Sequence, residues 1–185
     1  MTDTTGIPVA EDIDELLGEI HLPEASVPIC LRADLQAEFD RLSHELEVAR
    51  RSPDADTLVG SSGRTRRIAE EMEKIRTQMQ QHTRVIRLRA LPRRQWSDLL
   101  ARPEHQPRKE DAPADYNRET FPVAALAACA VAPKMTVEQA GRLVDRLSQG
   151  QWDRLWLAIL NLNKGEANVP FSAAASAILA GTQTS

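Results

Sequence analysis

At 185 residues, 42% of them apolar and only 4% aromatic, the chain fits one modest domain or two small units with tails. A core drawn mostly from Leu, Ile, Val and Ala suits helix packing better than a β-sandwich, and a net charge of −4 argues against a general nucleic-acid binder. Two cysteines, Cys30 and Cys129, are too few for a disulfide framework. With no leader-like N-terminus and no apolar run long enough to cross a bilayer, a soluble cytoplasmic protein is expected.

Residues 1–30 read as an acidic, flexible tail. They carry Asp3, Glu11, Asp12, Asp14, Glu15, Glu19 and Glu24 with no Lys or Arg, and Pro8, Pro23 and Pro28 interrupt them. Inside this tail Ile13, Leu16, Leu17 and Ile20 fall on one helical stripe. Such a patch either folds on a partner or docks on its own domain. These four residues are candidate protein-binding positions.

Residues 31–91 read as a heptad-patterned helical hairpin. Leu31, Leu35, Phe39, Leu42, Leu46 and Ala49 recur at steps of three and four, and Arg50 and Arg51 suit a helix C-terminus before Ser52 and Pro53 end it. The connection Asp54–Gly63 contains a Gly-x-x-Gly pair, but no Lys follows to reach a phosphate. A second seam runs through Ile68, Met72, Ile75, Met79, His82 and Ile86. Two such seams predict an antiparallel pair, with self-association through the hairpin as an extension of the same packing. The piece Val85–Leu91 nearly alternates apolar and basic residues and is expected to be extended, with a continued helix as the other option.

This region is also basic, holding Arg64, Arg66, Arg67, Lys74, Arg76, Arg84, Arg87, Arg89, Arg93 and Arg94 against Glu70, Glu71 and Glu73. The acidic tail and the basic middle either meet each other, meet partners, or remain two solvated faces. No aromatic residues are interleaved for base stacking, so nucleic acid is not the expected partner.

Residues 92–181 read as a small helical bundle, with 182–185 as a C-terminal tail. Pro92 opens a helix carrying Trp96, Leu99 and Leu100, and a Pro-rich loop follows over Arg102–Asn117. Phe121–Val131 is apolar almost all round, the mark of a central helix, and Cys129 within it reads as a small buried hydrophobe. Thr136 with Gln139, and Ser148 with Gln151, form capping patterns for two more helices. Trp152, Leu155, Trp156, Ile159 and Leu160 form a stripe on the second of them, and an Ala-rich segment from Pro170 to Gly181 closes the chain. The fold class expected is therefore all-α, hairpin followed by bundle. Trp152 and Trp156 serve either the core or a binding hot spot.

No catalytic set emerges. His21, His44, His82 and His105 are scattered, no His or Cys pair has metal spacing, and Glu70–Glu71 reads as a solvated helix face. No metal, no cofactor and no enzymatic activity are expected.

The ordered set Arg66–Met79, Leu91–Pro107, Asp115–Asn163 and Val169–Leu179 resembles the tail assembly chaperones of long-tailed bacteriophages, especially those of actinobacterial hosts. The landmarks are Trp96-x-x-Leu99-Leu100, Asn117 and Phe121 before an apolar helix, Pro133-x-x-Thr136, and Gly150-x-Trp152-x-x-Leu155. His105-Gln106-Pro107 departs from the His-Pro-Pro form of that family's loop. The resemblance implies a host-cytoplasmic helper that holds the tape measure protein, recruits tail tube subunits and is absent from the finished virion. It also implies a longer product made by ribosomal frameshifting, and no catalytic residues. Two other classes stay open: a small connector or scaffold retained in the virion, and a DNA-binding regulator using Arg64–Arg94.

Overall fold

A computed structural model describes residues 11–51 and 61–165. The elements are α1 (Ile13–Glu19), β1 (Glu24–Cys30), α2 (Asp34–Arg51), α3 (Ser61–Gln81), β2 (Thr83–Arg89), α4 (Arg93–Leu100), α5 (Phe121–Cys129), β3 (Ala130–Ala132), α6 (Val137–Val144) and α7 (Gln149–Lys164). The strands form one antiparallel sheet in the order β1-β2-β3. The fold is therefore mixed α/β, which corrects the all-α expectation. The Ala-rich segment Pro170–Gly181, the tail 182–185 and most of the Asp54–Gly63 connection lie outside the described residues.

The strand that overturns the helical reading lies inside the segment expected to be a flexible tail. Glu24–Cys30 pairs with Arg89–Thr83 along its whole length, from Glu24 opposite Arg89 to Cys30 opposite Thr83. Val27 and Ile29 alternate onto the buried face, while Ser26 and Pro28 face out. Pro28 has no N–H to give to a ladder, and β1 is an edge strand, where that loss is tolerated. The expected extended piece is β2, whose Ile86 and Leu88 point into the core while Arg87 and Arg89 face out.

The antiparallel hairpin is present, but it is an excursion from this β-ribbon. α2 leaves β1 and α3 returns into β2, and the Leu31 amide donates to the His82 carbonyl at 2.9 Å to close the neck. The heptad seam accordingly stops at Met79. α3 ends at Gln81, His82 sits in the turn, and Ile86 belongs to the sheet. Gln151 at the start of α7 donates to the Cys30 carbonyl at 2.7 Å, which ties the neck to the rest of the molecule.

Two separate cores result. In the hairpin, Leu35, Leu42, Ile68 and Ile75 are buried with Phe39, Leu46, Ala49, Met72 and Met79 partly buried around them. The larger core joins Val27, Ile29, Ile86 and Leu88 of the sheet to Trp96, Leu99, Phe121, Leu126, Leu155 and Ile159 of the helices. Residues 24–30 and 83–89 thus pack in the same core as residues 96–159. α5 is the central helix expected of its all-round apolar surface, with Phe121, Ala124, Ala125, Leu126 and Cys129 buried. It stops at Cys129 and not at Val131, because Ala130 and Ala132 pair with Leu88 and Arg87 as β3.

The capping patterns form as expected. Thr136 Oγ1 accepts from the Gln139 amide at 3.2 Å and Gln139 accepts from the Thr136 amide at 2.9 Å, while at α7 the Gln151 side chain accepts from the Ser148 amide at 3.1 Å. At the other end of α7, Asn163 Oδ1 accepts from the Leu91 amide at 2.8 Å and anchors the β2–α4 connection.

Candidate protein-binding surfaces

α1 buries none of its residues. Asp12 caps it, accepting from the Asp14 amide at 2.8 Å, and Asp14 and Glu15 in the first turn suit the positive end of the backbone dipole. The helix is thus formed by local rules, while its apolar stripe finds no core. Ile13, Leu16, Leu17 and Ile20 are 65%, 39%, 58% and 57% exposed. Apolar side chains grouped on one face, in an element that buries nothing, are the physical form of an uncovered docking surface. Ile20 also edges an open groove whose other walls include Leu22, Glu24 and Arg89.

Trp152 and Trp156 are brought together in a different setting. Their rings stack with centroids 6.3 Å apart and planes 22° from parallel. Trp156 continues inward to Tyr116 at 5.6 Å and to Phe121 at 6.1 Å, both near edge-on. Phe121 is the hub of this set, with Trp96 edge-on at 5.1 Å on its other flank. Both tryptophans remain half-buried and pack against the larger core. Of the two readings of this pair, core packing accounts for its contacts.

The loop between α4 and α5 holds three buried polar residues that sequence patterning does not mark out: His105, Asp111 and Asn117. Each is satisfied locally. Asp111 accepts from the Arg108 amide at 2.8 Å, from Arg108 Nε at 3.2 Å and from the Arg118 amide at 3.2 Å. Asn117 Oδ1 accepts from the Glu119 and Thr120 amides at 2.9 and 3.1 Å, and its own amide donates to the His105 carbonyl. Three residues thereby hold a Pro-rich loop as a fixed lid over Phe121. The only advance signal is their type: Asp and Asn replace backbone partners in turns.

The ionisable groups here are tuned by structure. Hydrogen bonds from the Arg108 backbone and side chain hold the Asp111 carboxyl below its ordinary range, against the opposing effect of burial. Arg108 is held more firmly protonated by Asp111 and Glu119. Burial pushes the Cys129 thiol up, partly offset by Asn163, whose Nδ2 lies 3.5 Å from the sulfur. Such a thiol is a packing group and a poor nucleophile. Among the described residues, no group of three or more His, Cys, Asp or Glu could hold a metal ion.

The acidic and basic regions meet across the β1–β2 ribbon. Arg89 Nη2 lies 2.6 Å from Glu24 Oε1, joining β1 to β2 across the sheet surface. Both partners are substantially exposed, so the pair is worth about 0–1 kcal/mol and serves register more than stability. No helix among the described residues is long and apolar enough to cross a membrane. Compared with protein-family models, curated proteins and solved structures, the chain matches none of them.

Proposed function

We propose that the protein is a bacteriophage tail assembly chaperone acting in the host cytoplasm, which binds the tape measure protein and helps recruit tail tube subunits. The observation that supports this reading is the exposed apolar side chains Ile13, Leu16 and Leu17 of α1, with Ile20 just past its end, on an element that buries nothing of its own. A long helical partner with apolar seams aggregates unless those seams are covered until the tube forms around them. An apolar helix face flanked by Asp12, Asp14, Glu15 and Glu19 offers such cover while keeping the free chaperone soluble.

The test is co-expression with a candidate tape measure protein. The soluble fraction of that partner should rise and the two should co-purify; unchanged solubility with no co-purification rejects the proposal. Mass spectrometry of purified virions adds a second arm, since a chaperone is absent from particles and a retained connector is present.

A further inference from the structure

The helical hairpin closes only one side of its seam. In heptad terms Leu35, Leu42, Ile68 and Ile75 occupy d positions, and Phe39, Leu46, Met72 and Met79 occupy a positions. These four d residues are 2–7% exposed and Ala49, the next d residue of α2, is partly buried, whereas Phe39, Leu46, Met72 and Met79 all stay only partly buried. In an antiparallel pair, like heptad positions of both helices fall on the same side. The contrast is therefore between two sides of the hairpin, and the a side is the open one.

The flanking residues separate the sides in the same way. On the d side the adjoining g positions carry Glu45 and Arg64, joined at 3.1 Å across the helices. On the a side the e positions in the middle of the hairpin carry Ser43 and Ala69, whose small side chains leave the strip open there, while the longer Gln36, Arg50 and Arg76 occupy the e positions toward its ends. Ala69 is itself exposed. Two methionines among the four open residues supply the adaptable surface that a packing partner can mould to. The two helices also differ in charge: α2 carries five acidic and three basic side chains, and α3 carries three acidic and five basic.

We propose that the a side of the hairpin is the docking surface for a second copy of this chain, with α2 of one protomer against α3 of the other. The product is a four-helix bundle closed around Phe39, Leu46, Met72 and Met79. Charge selects this arrangement. Setting α2 against α3 brings a net acidic helix to a net basic one at both contacts of an isologous dimer, whereas α2 against α2 opposes like charge. Ser43 and Ala69 then let the helices approach closely. The association is independent of the chaperone reading, since a dimer forms or fails whether or not a tail component binds α1.

Sedimentation equilibrium of the full chain, wild type and Ala69→Glu, tests it. Glutamate is a good helix former at an exposed site, so the single chain accommodates it. In the dimer it sets bulk and negative charge against the acidic helix. Wild type should dimerise at or below about 0.1 mM, and the substitution should weaken association at least tenfold with unchanged helicity by circular dichroism. Ser43→Lys, a cation facing the basic helix, should give the same loss, and serves alone if Ala69→Glu disturbs folding. A monomeric wild type overturns the proposal, as does a dimer that both substitutions leave intact.

Discussion

His105 Nδ1 lies 3.0 Å from Oγ1 of Thr120, whose hydroxyl donates to the Glu104 carbonyl at 2.6 Å. With its proton committed to that carbonyl, the Thr120 oxygen accepts from the ring, which assigns neutral His105 as the Nδ1–H tautomer. The imidazole is 4% exposed and meets Phe121 edge-on at 5.8 Å. Burial lowers its pKa below the ordinary 6.5; Glu104 partly opposes this and Arg102 adds to it.

That shift sets a pH dependence. The unfolded chain binds a proton at His105 more readily than the folded one, so its contribution is complete above pH 6.5 and is lost as the pH falls below that value. Thermal midpoints should therefore drop between about pH 7 and pH 5, and His105→Gln should flatten the drop. Equal slopes for variant and wild type would assign the effect elsewhere.

Asp111 supplies a case of the same sign at lower pH. Its folded pKa is depressed below 3.8, so its stabilisation is present above that value and disappears as the pH falls through the folded pKa. Asp111→Asn leaves Arg108 without its buried counter-charge and cannot accept all three donors. The variant should unfold at a lower temperature than wild type at neutral pH, with the gap closing in acid. A gap that persists unchanged into acid would point to packing rather than charge.

How much of this was legible in sequence depends on the element. The hairpin is legible because its apolar steps repeat over several turns, and the caps at Thr136 and Ser148 because their partners lie three residues away. β2 is legible from the alternation around Ile86 and Leu88. β1 is not, since only Val27 and Ile29 alternate inward and Pro28 lies between them. β3 is hidden in the apolar run that also makes α5, where no period distinguishes helix from strand. Of the candidate site, the α1 stripe can be read from spacing, but its exposure cannot. Whether a stripe finds a core is decided by tertiary packing, which local pattern does not encode. The same holds for Trp152 and Trp156, whose partner Tyr116 lies far away in the chain.

The cap of α6 gives a measurable local energy. Thr136→Ala removes the acceptor for the Gln139 amide and breaks the reciprocal pair. Urea unfolding should show a loss of about 1 kcal/mol at unchanged m-value. Phe121→Ala, which empties the centre of the ring cluster, should cost about 3–5 kcal/mol and shift the tryptophan emission. If the two losses were similar, Phe121 would not be the hub that its four ring neighbours indicate.

The last prediction separates binding from folding. Ile13 and Leu17 lie one helical turn apart and are 65% and 58% exposed, so replacing both with Ser removes apolar surface that the folded chain does not bury. The stability change should stay within about 0.5 kcal/mol per substitution, as for surface sites in general. On the proposed function, capture of the tape measure protein, measured by co-purification, should nevertheless fall sharply, because apolar anchors on a helix face carry most of the energy of such contacts. Phe121→Ala makes the opposite comparison, losing stability while leaving α1 in place. If Ile13→Ser/Leu17→Ser destabilises the chain and spares capture, the stripe packs on its own protein and another surface must hold the partner.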